Sequence, residues 1–146
     1  SMQPYHLFDD GCWAHKRIDY DLLSRTYIFR TLIESGANLT FGSDWTVASL
    51  NPLTGIYAAV TRRTRDGNYP DGWFPEEKIN VEDALRAYTV NNSYAAFWET
   101  KTGSISPGKF ADFVIHSKNL LTIVPDTLLK SRVLRTVIGG KDYIFE

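Results

Sequence analysis

Cysteine occurs once in the chain, at Cys12. No internal disulfide framework can hold the fold together, and a reducing compartment suits it. The cytoplasm is therefore the expected location. Histidine is nearly as scarce, with only His6, His15 and His116. A metal site can be written from His6, Asp10, Cys12 and His15, but their spacing matches no standard zinc arrangement and no second ligand pair follows. An excess of basic charge is also missing: the net charge is -1, which leaves no electrostatic footprint for nucleic acid. No apolar run approaches the length of a membrane span, and the N-terminus has no basic-then-apolar leader pattern. Internal repeats and low-complexity stretches are absent too.

What the chain does have is apolar mass. Hydrophobic residues make up 43% and aromatics 14%, with four tryptophans, enough for one ordinary packed domain or a small domain with an appendage. The organising stretch is Ala37 to Trp45. Asn38 to Phe41 reads as a short strand that runs out through Gly42 and Ser43 and delivers one carboxylate, Asp44. A helix is expected before it, Ser24 to Glu34, stopped by Ser35-Gly36 as a glycine C-terminal cap stops one. Asn51-Pro52 opens another helix, expected from about Leu53 to Thr64. Helix, strand, acid at the strand's C-terminal end, then helix is how parallel α/β folds assemble active sites. From spacing alone, Asp44 could equally be a turn residue or a helix cap.

Met2 to His6 reads as the end of a buried strand with nothing before it to pair with. The chain is thus expected to begin in mid-fold, as a piece of a longer protein, although Ser1-Met2 also fits a cloning remnant. His6, at the strand's exit, is placed to meet whatever Asp44 meets. Phe8 to Asp21 reads as irregular, with His15 in a solvated loop. Arg62, Arg63 and Arg65 complement the negative end of the helix before them. Asp66 to Pro75 is a loop fit for a lid or an edge cover. Asn80 caps a helix whose first turn carries Glu82 and Asp83, and Asn91-Asn92 divides the Val81 to Trp98 region into two helical pieces. Beyond Lys101 the chain reads as extended: Gly103 to Ile105, a Pro107-Gly108 turn, and a strand at Ala111 to Ile115 with His116 at its surface end. Pro125 to Lys130 then interrupts, before a hairpin of Val133 to Ile138 and Asp142 to Phe145 about Gly139-Gly140. This tail carries no acid–base pair and no glycine-rich phosphate loop.

Three pieces together resemble the C-terminal end of an amidohydrolase-superfamily enzyme, in the branch known as amidohydrolase family 3, which hydrolyses N-substituted amides and formamides. Gly42-Ser43-Asp44-Trp45 is similar to the end of that family's eighth barrel strand. Ala84 to Thr89, with Asn91, Ala95 and Ala96, resembles the helix after it. Gly103-Ser104-Ile105, Pro107-Gly108-Lys109 and Ala111 to Ile115 resemble the re-entry into a small β-sandwich, and Met2 to His6 is similar to the seventh strand. The resemblance covers nearly the whole chain.

It implies an α/β fold: the C-terminal part of a metal-dependent hydrolase (β/α)8 barrel over residues 1–100, and strands of the composite sandwich over 101–146. It implies a small-molecule amide substrate and a divalent metal, zinc, in the full-length parent. Asp44 would be the metal and catalytic residue, taking a proton from metal-activated water and relaying it to the leaving amine. His6, Trp45 and Asp10 would line the substrate mouth. The family's other ligands, including a His-x-His pair, come from earlier strands and have no counterpart here, so the segment alone is expected to be inactive and to bind no metal stably. The alternative is a non-catalytic module that self-associates. On either reading two strands cannot close a barrel, and the open edges predict a homo-oligomer.

Overall fold

Pro4 decides how the chain begins. A proline lacks the N–H that a strand ladder needs but suits the first position of a helix, and it opens α1 (Pro4–Asp10). The expected strand at Met2 to His6 is therefore reduced to a single parallel bridge, Met2 to Phe41. The computed structural model describes residues 1–144, so Phe145, the end of the last expected strand, lies outside the described residues. The stretch expected to be irregular holds the end of α1, a 3-10 turn at Ala14–Lys16 and α2 (Tyr20–Leu23).

The helix expected from Ser24 is shorter. It is α3 (Phe29–Glu34), because Tyr27 sits at φ 54°, a left-handed conformation that an L-residue helix does not pass through. The carboxylate of Glu77 accepts the Thr31 backbone N–H at 3.0 Å and the Thr31 hydroxyl, so α3 is capped from elsewhere in the chain. Its C-terminal end follows expectation. Gly36, at φ 86°, donates to the Ile33 carbonyl at 2.9 Å while Ala37 donates to Leu32 at 3.1 Å, the paired bonds of a glycine stop.

Asn51 accepts the Leu53 N–H at 3.0 Å and starts α4 (Pro52–Thr61). This helix ends three residues before the expected Thr64, because Arg62 turns left-handed at φ 55°. Asn80 accepts the Asp83 N–H at 2.7 Å and starts α5 (Val81–Tyr88), followed by α6 (Val90–Ala95), the two pieces expected. α1 and α5 pack on α4. Gly55 allows the α4–α5 approach: a Cβ there would lie 2.0 Å from the Tyr88 hydroxyl. Between these helices Phe29, Phe41 and Tyr88 stack edge to face, with ring centroids 5.2 and 5.5 Å apart. Phe29 and Phe41 are buried, each contributing roughly 1.5–3 kcal/mol of transfer free energy. Burial pushes the Tyr88 phenol up to about 12. Trp73 is buried too, its backbone N–H donating to the Arg62 carbonyl at 2.6 Å, so the end of the Asp66–Pro75 loop is anchored in the core.

After Lys101 the chain forms an antiparallel sheet in the order β1 (Phe113–His116), β2 (Val133–Ile138), β3 (Lys141–Tyr143). Gly139 and Gly140, at φ 56° and 76°, make the two-residue turn the sequence predicts. Gly103 to Ile105 is not a strand; Gly103 takes φ 86° and sits so close to Ser93 that a Cβ would be 2.4 Å from its hydroxyl. Val114 and Ile115 are both exposed. Neighbouring strand residues point to opposite faces, so both faces of the sheet present apolar side chains to solvent.

Candidate active site

The segment leading to Asp44 has almost no sheet to hold it. Met2 donates to the Thr40 carbonyl at 2.9 Å and accepts the Gly42 N–H at 3.1 Å, and Phe41 donates to the Ala87 carbonyl at 2.9 Å. Two further carbonyls, those of Leu39 and Phe41, are met by side chains of α6: Asn91 and Asn92 each donate a 2.8 Å bond. Asn92 also reaches the Tyr88 carbonyl at 3.2 Å. The Asn-Asn pair therefore takes the place of a neighbouring strand, which explains two poor helix formers in a helix. Its only sequence signal is that oddity of propensity. Asn92→Ala is expected to orphan the Phe41 carbonyl and to cost ~1–3 kcal/mol. Urea unfolding measures this, and a loss below about 0.5 kcal/mol, as at an ordinary surface site, would show that the amide holds nothing.

Past Gly42 the backbone turns. Asp44 sits at φ 57° and its carbonyl accepts the N–H groups of Val47 and Ala48 at 2.8 and 3.1 Å. The turn leaves the carboxylate free of the main chain. His6, from the first turns of α1, meets it: Nε2 lies 3.1 Å from Oδ2, with the imidazole side chain 23% exposed and the carboxylate 49% exposed. His6 thus reaches Asp44 from a helix rather than from a strand exit. None of the other residues singled out by sequence makes a hydrogen bond to this pair among the described residues. Asp10 shares the His6 face of α1, one turn on, but its Oδ2 accepts the Tyr27 hydroxyl at 2.5 Å. Trp45 follows Asp44 with its indole 62% exposed. His15 is exposed, and Cys12 places its thiol 3.8 Å from the Phe8 carbonyl. His116 is half-buried at the end of β1, with its pKa pushed down by desolvation.

A carboxylate hydrogen-bonded through one oxygen to an imidazole, with water able to reach both, can accept and pass on a proton. It is too small a donor set for a metal. A divalent ion with a catalytic role takes about three protein ligands, and among the described residues no three His, Cys, Asp or Glu side chains come together. His6 and Asp44 do not fit a metal by themselves.

The sequence model of the amidohydrolase family matches residues 1–142. The protein LONG AFTER FAR-RED 3 of Arabidopsis thaliana is 41% identical over 142 residues, which is 97% of this chain and 24% of that protein. The N-substituted formamide deformylase of Arthrobacter pascens is 28% identical over 111 residues, 76% of this chain and 20% of that protein. The crystal structure of an uncharacterized metal-dependent hydrolase from Pyrococcus horikoshii superposes with a TM-score of 0.71 at 22% identity, over 86% of this chain and 25% of that one, and shows a shared fold. The chain spans about a quarter or less of the length of these relatives. No helix among the described residues is long and apolar enough to cross a membrane.

Proposed function

The chain belongs to the amidohydrolase family, and from that premise we propose that it is the C-terminal segment of a metal-dependent hydrolase acting on amide or formamide C–N bonds other than peptide bonds. The observation that carries the reading is the His6–Asp44 contact. It supplies an oriented carboxylate at the end of the segment whose Gly42-Ser43-Asp44-Trp45 motif resembles the end of the family's eighth barrel strand. The parallel bridge of Met2 to Phe41 supports taking these segments as the seventh and eighth strands of a barrel, with residues 1–100 in that barrel. The apolar side chains on both faces of the sheet support assigning residues 101–146 to a sandwich that other strands complete.

In this reading Asp44 is the proton acceptor. His6 Nε2, when it carries the ring proton, donates to Oδ2 and leaves Oδ1 to take a proton from the attacking water and release it to the departing amine. His6 fixes the carboxylate's orientation, and Trp45 and Asp10 wall the substrate mouth. A divalent metal, zinc, would lower the pKa of that water; Asp44 would be one of its ligands and the others must come from outside these residues, so none of the steps assigned to this chain is routed through it. The cytoplasm remains the proposed location.

The test compares two proteins, the 146-residue chain and a form extended to the length of its relatives. The extended form is expected to hydrolyse N-alkylformamides, to lose activity to a chelator and to regain it with zinc, while the short chain is inert. Equal hydrolysis by the short chain, or no amide hydrolysis by the extended form, would overturn the proposal. Light scattering on the short chain reads the edges: self-association is expected, and a monomer at moderate concentration would count against open, pairing-competent strands.

A further inference from the structure

Residues on either side of His6 in sequence, Met2 and Asp10, line a recess of about 310 Å³ that the proton chemistry leaves unused. Met2, Trp13, Ile18 and Tyr27 form its walls, with Asp10 and Arg17 as its charged lining. Two of its lining residues connect through the chain to the candidate site. Met2 is the residue bridged to Phe41, three positions before Asp44, and Asp10 lies one helical turn beyond His6 on the same face of α1.

The recess is built rather than incidental. Tyr27 is held at φ 54°, where a bulky residue is strained and persists only if its surroundings dictate it. Those surroundings are the buried guanidinium of Arg62, whose Nη1 donates to the Tyr27 carbonyl at 2.7 Å, and Asp10, which accepts the phenol at 2.5 Å. Burial raises the Tyr27 pKa well above the ordinary phenol range, so the ring stays a donor at any working pH. Trp13, 43% exposed in this chain, presents a large apolar ring to the recess. Asp10 and Arg17 bring opposite charges, so the lining has no net charge to select an ion. The volume lies at the small end of the range for ligand pockets, which suits one arm of a substrate rather than a whole molecule.

We propose that this recess is a specificity subsite for one uncharged hydrocarbon arm of the amide substrate, seated between Trp13 and Tyr27. The proposal rests on the hydrolase reading above. Its test uses the extended enzyme and two homologous series, N-alkylformamides and N-methylalkanamides, each lengthened from one carbon to four. In one of the series KM is expected to fall by up to roughly fourfold per added methylene, and the series that responds identifies the arm. Trp13→Ala should flatten that dependence while Trp13→Phe keeps most of it, a pattern that general destabilisation would not produce. If no amide is turned over, the same series is titrated by calorimetry: the gradient in Kd, lost in Trp13→Ala, sustains the subsite even as the hydrolase reading fails. Flat series in both assays, or a gradient unchanged in Trp13→Ala, would overturn it.

Discussion

Asp44→Asn in the extended enzyme is expected to lower kcat by roughly 10²–10⁴, the span a positioned acid–base group commands. Asparagine keeps the size of the side chain and an oxygen for His6 to bond, but it takes no proton at neutral pH. His6→Gln should cost less, about tenfold, because glutamine can still donate to a carboxylate left in place and only orientation suffers. Once Asp44 is lost, the histidine has nothing to orient. The double variant should therefore be little slower than Asp44→Asn alone, the non-additivity of groups that act as a unit. Both side chains are partly exposed, so stability should change by no more than about 0.5 kcal/mol, and equal unfolding midpoints would separate chemistry from folding. A kcat for Asp44→Asn within threefold of the parent would remove Asp44 from the mechanism. Fully additive losses would mean that His6 acts on substrate directly.

The parts of this fold that were legible in sequence are those decided by a few neighbouring residues. Asn51 and Asn80 start helices, Gly36 ends one, and Gly139-Gly140 turns a hairpin, because each supplies a cap or a positive φ that the local backbone demands. The sequence places His6 near Asp44 as the exits of two strands, and the structure keeps the meeting but not both strands. The two segments do lie parallel, but Pro4 converts the approach from strand to helix after one bridge. What escaped was long-range. Asn91 and Asn92 look like a helix interruption until the carbonyls of Leu39 and Phe41, some fifty residues earlier, are seen to need donors. Tyr27 looks like one position of an apolar stripe, and nothing within its own segment announces that its carbonyl is claimed by Arg62. Arg62 itself reads as a solvated charge complementing a helix end. In the fold it is fully buried, because the chain reverses at that residue and carries the side chain inward.

That burial makes Arg62→Ala the largest stability change expected anywhere in the chain, ~3–5 kcal/mol, a large part of the 5–15 kcal/mol typical of a domain. Arg62 Nε donates to the Trp73 carbonyl at 2.6 Å and Nη1 to the Tyr27 carbonyl at 2.7 Å. Its guanidinium carbon lies 5.6 Å from the Phe29 ring centre and 5.9 Å from that of Trp73. Desolvation lowers its pKa to about 10, with the charges of Glu77 and Glu76 acting the other way. That places the cost of holding the cation inside on the order of 3 kcal/mol, and removing it gives this back. Against that gain, alanine orphans the buried Trp73 carbonyl at roughly 1–3 kcal/mol, leaves the Tyr27 carbonyl with the Phe29 N–H as its one remaining donor, and opens a void between two aromatic rings. The losses win. Arg62→Met fills the void and sheds the charge but still strands the Trp73 carbonyl, so it should fall between Ala and the parent. Arg62→Gly differs from Ala mainly in tolerating φ 55°, and should be the more stable of the two by about 1 kcal/mol. Denaturant unfolding of the set decides the matter. If methionine matched arginine, the Trp73 carbonyl would have to find another donor, and the anchoring of Tyr27 beside Asp10 would not depend on this side chain.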